Sequence, residues 1–321
     1  MNRYKELQIK YAIKTSEPIS EWIKRVAAGE NLSIRTIQRA VKEGSNIPVD
    51  YLERQLSPIE EHKLASNSAF KKSTGNMWIV ISDVHIPAED PELMQNLFKM
   101  MEDYKDQIKG FVIAGDFLDC YGFSTHSINQ VQPEGYSMDL EYSVGNAYLN
   151  KIDSILPKNT QKVFINGNHE ARYEKYFKNV NTSVLKDITP NPTEALKLKN
   201  RGYTVLTDWK EDSFNIGKLQ VFHGQYLNAN AIKTHMNKTR GSVMYGHSHR
   251  AGSIFEGDHA GFNIGWMGNP DHDFFKYASR FERASWVQGF AVVYELPNNG
   301  FQVTQITCQD SSFYFGGKKY E

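Results

Sequence analysis

Cysteine is almost missing from this chain of 321 residues: Cys120 and Cys308 are the two present, and they can pair once at most. A chain without a thiol framework is expected in a reducing compartment. Long apolar runs are missing too, and none approaches the roughly 20 residues that cross a bilayer. The first 14 residues are charged throughout, unlike a secretory leader. Charge of one sign is missing as well. The 37 Lys and Arg balance 37 Asp and Glu, so nothing global draws the chain to nucleic acid or an anionic membrane. There are no internal repeats and no low-complexity tract. Together these absences lead us to expect a soluble, cytoplasmic protein with no membrane partner. What is present, 40% apolar and 12% aromatic residues, provides for a substantial core, and the length suits one large domain plus a small one.

The charge is balanced globally but not locally. Residues 1–75 hold 13 Lys and Arg against 9 Asp and Glu, leaving the remainder of the chain acidic. Residues 1–56 read as three short helices. The first lies over 2–14, with an imperfect apolar stripe. The second, over 19–28, follows the break at Ser16-Glu17-Pro18. Gly29 turns the chain, Ser33 suits an N-cap, and the third helix runs over 34–43 to Gly44. Ile34, Ile37 and Val41 share one face of it, while Arg35, Arg39 and Lys42 occupy others. This small all-α module resembles a helix-turn-helix, which makes DNA a candidate partner and those three cations candidate DNA contacts. The plainer reading is a helical appendage with solvated charges, serving oligomerisation. Residues 57–76, polar and carrying Lys71, Lys72, Ser73 and Gly75, read as a linker to a domain over 77–321.

Five strand-like apolar runs in that domain end in groups that bind metals or move protons. They are WIVISDVH at 78–85, FVIAGDFLD at 111–119, VFINGNHE at 163–170, LQVFHG at 219–224 and SVMYGHSH at 242–249. Runs this short and this rich in β-branched residues suit strands buried on both faces. Asp83 and His85, two apart at a strand end, are expected to point the same way by strand alternation. In four of the five runs a glycine stands beside the polar group, where it permits close approach of backbone or ligand. Helices over 91–101 and 139–156 separate the first three strands, which argues for a parallel α/β arrangement. Later strands come closely spaced, at 203–206, 213–216, 219–222, 243–245, 289–295 and 301–307. Asn298-Asn299-Gly300 marks a hairpin between the last two.

Asp-x-His, Gly-Asp-x-x-Asp, Gly-Asn-His-Glu, His-Gly and Gly-His-x-His, in that order, resemble the motifs of the calcineurin-like metallophosphoesterase superfamily. The resemblance runs from about Met77 to Gly317. More loosely, the whole resembles phosphoesterases of bacteriophage and prophage, including Trp286-Val-Gln-Gly-Phe290 before two closing strands. It implies a four-layer α/β/β/α double β-sandwich and two divalent cations. By the resemblance Asp116 bridges the cations, Asp83, His85 and His249 complete one site, and Asn168, His223 and His247 complete the other. Oxygen and imidazole donors without thiolate suit Mn2+, with Fe, Ni2+ or Zn2+ as alternatives, over Ca2+. His169 is implied to stand too far round its strand end to ligate, and instead to protonate the leaving oxygen or stabilise the phosphoryl charge. Asp119 would hold its imidazole, with a turn cap as the plainer reading, and Glu170 would act by capping or support.

Protein Ser/Thr phosphatases of the superfamily follow the second aspartate with a phosphate-gripping arginine, and Cys120 stands there instead. Arg172 and the loop residue His126 are candidate substrate contacts in its place. The reading that follows is a phosphodiesterase, above all a DNA-directed nuclease. A phosphomonoesterase or a nucleotide or cyclic-nucleotide phosphodiesterase is the alternative within enzymes. A DNA-binding regulator with an inert phosphoesterase core is the alternative outside them.

Overall fold

A computed structural model of the chain describes residues 19–31, 75–124, 135–179, 186, 188–276 and 278–321. The helices expected at 2–14 and 34–43, with Arg35, Arg39 and Lys42, lie outside the described residues, as do His126 and most of the 57–76 segment. Of the N-terminal head, the helix Ile19–Glu30 is described, and Trp22, Ile23, Val26 and Ala27 form its buried face.

Strand β1 (Met77–Ile81) is apolar on both sides because it lies between two cores. Met77, Ile79 and Ile81 enter one, while Trp78 and Val80 enter the other. Strands β2 (Ile108–Ala114) and β3 (Gln161–Ile165) split their residues the same way: Phe111, Ile113 and Phe164 join the first core, and Val112, Ala114, Val163 and Ile165 the second. Burial on both faces is the reason these segments carry no polar alternation.

The first core is covered by two helices. Pro91–Tyr104 contributes Leu93, Met94, Leu97 and Met101, and Met138–Ile155 contributes Tyr148, Leu149 and Ile152. Each such side chain, fully buried, is worth roughly 1.5–3 kcal/mol. Both helices start on side-chain caps. Asp90 accepts from Glu92 N at 3.1 Å and Leu93 N at 3.0 Å, and Ser137 accepts from Leu140 N at 3.1 Å.

Strands β4 (Tyr203–Leu206), β10 (Gly289–Leu296) and β11 (Gly300–Thr307) complete a six-stranded sheet in the order β11-β10-β1-β2-β3-β4. Strands β1 to β4 are parallel, and β10 runs antiparallel to both β1 and β11. At the hairpin, Asn298 (φ 59°) and Asn299 (φ 60°) take the left-handed conformation its turn requires.

The second core is closed by another sheet, made of β5 (Phe214–Ile216), β6 (Leu219–Val221), β7 (Ser242–Tyr245), β8 (Ala251–Glu256) and β9 (His259–Ile264), in the order β5-β6-β7-β9-β8. It supplies Ile216, Leu219, Val221, Met244, Phe262 and Ile264. On its far side the helix Ala231–Thr239 lays Ala231 and Met236 against Val243 and Tyr245. Helix, sheet, sheet and helix are therefore the four layers expected. The β8–β9 hairpin and the Ala231–Thr239 helix are not legible in the sequence. β8 is an edge strand with a half-exposed, weakly apolar pattern, and the helix buries little of its surface. A further pair, β12 (Phe313–Phe315) and β13 (Lys318–Tyr320), packs on the first core through Phe313, Phe315 and Tyr320.

Candidate metal centre

The carboxyl ends of both sheets meet at one crevice. β1 delivers Asp83 and His85, β2 delivers Asp116, β3 delivers Asn168 and His169, β6 delivers His223, and β7 delivers His247 and His249. Backbone hydrogen bonds beyond the strands lock these ends together: Asp83 N donates to Gly115 O, His85 N to Asp116 O, and Gly246 N to His223 O, all at 3.0–3.1 Å.

Asp83 and His85 do not converge by strand alternation, as the sequence suggests. β1 stops at Ile81, and both residues lie beyond it with φ of 54°. Asp116 (50°), His247 (62°) and His249 (56°) are left-handed as well, so five of the seven candidate ligands hold a backbone conformation that L-residues avoid. Each costs roughly 1–2 kcal/mol. Such strain gathers where surrounding structure fixes a functional geometry.

Around Asp83, neutral imidazoles would leave the donor atoms without a proton to share. His85 Nδ1 lies 3.2 Å from Asp119 Oδ2 and donates to it, which leaves the Nε2 lone pair 3.0 Å from His249 Nε2. Asp83 Oδ1 is 3.4 Å from that His249 nitrogen, fully buried, and without a hydrogen-bond partner. Around Asp116 the conflict is sharper. His223 donates through Nδ1 to Ala114 O at 3.0 Å, so in the neutral ring Nε2 is an acceptor. It faces Asp116 Oδ2 at 3.2 Å and Asn168 Oδ1 at 2.9 Å, two more acceptors. Convergent lone pairs with no hydrogen between them fit a cation. Where no cation lies between them, protons supply the positive charge that these carboxylates draw in. Burial pulls the His223 and His85 imidazoles down, but the carboxylates beside them win, lifting His223 to about 9 and His85 to about 10. His247 goes the other way: burial, then the charge of His223, lowers it to about 3, which keeps it neutral and able to ligate. Asp83, His85 and His249 gather as one group and Asp116, His223 and His247 as another, each with donor atoms within 4.8 Å of one another. These are the residues that could hold two divalent ions, with Asn168 beside the second group.

His169 lies closer to these atoms than the resemblance implies. Its backbone N donates to Asp116 Oδ1 at 2.8 Å, which draws the strand end inward. Nε2 then stands 3.7 Å from Asp116 Oδ2, and His85, Asp116 and His169 form a third group. Its Nδ1 donates to Asp119 O at 2.8 Å, and Arg172 Nη2 donates to its Nε2 at 2.9 Å. Burial first, and then the Arg172 charge, keep this imidazole below its usual pKa.

Asp119 serves two imidazoles rather than one. Its carboxylate lies 3.2 Å from His85 Nδ1 and 3.3 Å from His169 Nδ1, and Arg172 Nη1 reaches Oδ1 at 3.3 Å. Glu170 is a support: its oxygens accept from Asp116 N, Gly167 N and Leu118 N at 2.8–3.1 Å, tying the β2 and β3 ends. Cys120 is fully buried, and burial pushes its thiol well above the usual range.

Several residues that shape the site were given no site role by the sequence. Trp266 stacks on His249 with ring centroids 4.6 Å apart, and Trp286 meets the same imidazole edge-on. Buried Glu141, on the helix Met138–Ile155, accepts from Cys120 N at 2.8 Å and Tyr121 N at 3.1 Å and so holds the backbone next to Asp119. Trp209, just past the end of β4, lies near His223 and His247. A strand end followed by an aromatic residue is the one clue to Trp209. The motif glycines do act as read. A Cβ on Gly167 would sit 2.0 Å from Asp116 Oδ1, and one on Gly246 would sit 2.0 Å from Asp83 Oδ2.

Among known structures, the fold is similar to a variant of Vps29 from Entamoeba histolytica, 11% identical over 74% of this chain and 96% of that one, with a TM-score of 0.39. Vps29 from Cryptosporidium parvum is 14% identical over 76% and 94%, with a TM-score of 0.39. Yfce, a phosphoesterase from E. coli, is 15% identical over 71% and 98%, with a TM-score of 0.35. No curated protein sequence matches the chain. The family model described as calcineurin-like phosphoesterase matches residues 78–251, more than half of the chain and all five motif ends. With buried carboxylate and imidazole donors converging where those motifs end, the chain belongs to the calcineurin-like phosphoesterase family and has the donor set of a metal-dependent phosphoesterase.

Proposed function

We propose that this protein hydrolyses phosphodiester bonds in nucleic acid, DNA foremost, with manganese as its metal. Asp83, His85, His249 and Asp116 would hold one cation, and Asp116, Asn168, His223 and His247 the other. Such a pair supplies an acidified water as nucleophile and offsets charge on the phosphoryl oxygens.

Position 120 carries the preference for a diester. A monoester brings a dianion to the site and calls for a guanidinium there. Cys120 is instead buried and protonated, and Arg172, the guanidinium that reaches the site, is bonded to Asp119 and His169. A singly charged diester needs less cationic grip. His169 is neutral at pH 7 with its Nδ1 proton committed to Asp119 O. In that state His169 has no proton to give the leaving oxygen, and its role would be to hold Arg172 beside Asp119. For DNA as substrate, the support is the basic N-terminal segment with its helix-turn-helix-like spacing.

The test is hydrolysis of plasmid DNA, single-stranded DNA, bis(p-nitrophenyl) phosphate and p-nitrophenyl phosphate, with Mn2+ and with EDTA. The diester and the DNA should be cleaved with Mn2+ and not with EDTA. Faster turnover of the monoester with no cleavage of DNA overturns the proposal. Deleting residues 1–56 should slow DNA cleavage at low salt and leave the chromogenic diester unaffected.

A further inference from the structure

We propose that Trp209 and Lys210 form a nucleobase subsite beside the phosphoryl-binding centre, an inference that rests on the phosphodiesterase reading above. Trp209 is half-buried, with its ring centroid 6.3 Å from that of His223 and 6.2 Å from that of His247. It therefore stands at the mouth of the site, next to the imidazoles of the second ligand group. The turn that carries it is built to stay in place. Asp208 N donates to Asp212 Oδ2 at 2.9 Å, Lys210 N to Asp208 Oδ1 at 3.1 Å, and Asp212 N to Asp208 O at 2.7 Å. Gln225 Nε2 donates to Lys210 O at 2.6 Å, fastening the turn to the segment that follows His223.

The other indoles near the centre are already engaged. Trp266 is fully buried and stacked on His249, and Trp286 packs edge-on against both rings. On Trp209 the exposed ammonium of Lys210 lies over the ring, 5.5 Å from its centroid. An exposed cation–π contact of this kind is worth about two- to fivefold in an equilibrium. Stacking a base on an aromatic side chain is worth roughly tenfold to a hundredfold. A base therefore displaces the ammonium from the ring and frees it for a neighbouring phosphate. A flat π face and an exposed cation, with the ring 6.2–6.3 Å from the His223 and His247 imidazoles, match the two halves of a nucleotide.

Calorimetric binding in Mn2+ decides it, using the non-hydrolysable 5′-phosphonate of deoxyadenosine against methylphosphonate, which has no base. Wild type should bind the nucleoside compound more tightly. Trp209→Phe should keep that preference. Trp209→Leu, which keeps apolar bulk but has no π face, should lose roughly tenfold or more for the nucleoside compound alone. A Leu variant that binds both compounds as wild type does, or weakens for both alike, overturns the subsite. Wild-type tryptophan emission should also be quenched by the nucleoside phosphonate and not by methylphosphonate; equal response to both refutes the subsite without any substitution. Failure of wild type to hydrolyse bis(p-nitrophenyl) phosphate removes the phosphodiesterase reading separately, because these titrations do not depend on turnover.

Discussion

Replacing Asp119 with Asn tests how the chain keeps its candidate ligands in the right protonation state. The carboxylate is 4% exposed and faces three donors: His85 Nδ1 at 3.2 Å, His169 Nδ1 at 3.3 Å and Arg172 Nη1 at 3.3 Å. An amide has one oxygen to offer. Turned to Arg172, it sets its NH2 against His85 Nδ1. That nitrogen must then accept, so the ring proton moves to Nε2, the atom a cation would need. Turned to the imidazoles, it sets NH2 against the guanidinium and loses the ion pair. Either way His85 also loses the charge that makes it a better base. Substitutions of this kind behind a metal-binding imidazole cost about 10–100-fold in affinity or activity, which is roughly 1.4–2.8 kcal/mol. Arg172 keeps its bond to Asp119 O at 2.7 Å, which the substitution spares, so the fold should survive. The assay is calorimetric titration of Mn2+ into EDTA-stripped protein alongside turnover of bis(p-nitrophenyl) phosphate. Asp119→Asn protein with wild-type metal affinity and wild-type turnover would refute the tautomer argument.

Three further outcomes are expected. Asp116→Asn keeps the acceptor for His169 N but turns an NH2 toward His223 Nε2, so bound metal by mass spectrometry and turnover should fall together; turnover unchanged at reduced metal content contradicts the shared ligand. Gly246→Ala puts a methyl group 2.0 Å from Asp83 Oδ2 and 2.2 Å from Ser82 Oγ, so Asp83 must shift. We expect about 1–3 kcal/mol lost in urea unfolding together with weaker Mn2+ uptake, and unaltered uptake would show that the crowding is relieved elsewhere. Glu89 is buried with one hydrogen bond, from Tyr148, and burial lifts its carboxyl from 4.5 to about 7. Its folded pKa exceeds the unfolded one, so its support for folding is complete below pH 4.5 and is lost as pH rises to about 7, on the order of 3 kcal/mol. Glu89→Gln should remove that slope, and urea unfolding at pH 4.5 and 7.5 that shows the same slope in both proteins rules it out.

The sequence by itself determined the strands and their chemistry. Runs such as WIVI and FVIA are apolar on consecutive residues because helices cover one face and a second sheet the other, a local signature of a global arrangement. The helix that begins at Pro91 and the Asn298-Asn299 turn were legible for the same reason: they are satisfied within a few residues, the helix by its Asp90 cap. The candidate ligand types at strand ends are visible in the sequence because each motif carries its own polar residues. Tertiary structure alone decided how those groups meet. Left-handed turns, not the pleat, aim Asp83 and His85, and loop-to-loop backbone bonds set their distance from Asp116. Asp119 shared between His85 and His169, Glu141 behind Cys120, and Trp209 beside His247 join residues far apart in the chain. No local pattern encodes such pairings, because the energy that selects them exists only once two sheets have packed and excluded water between their ends.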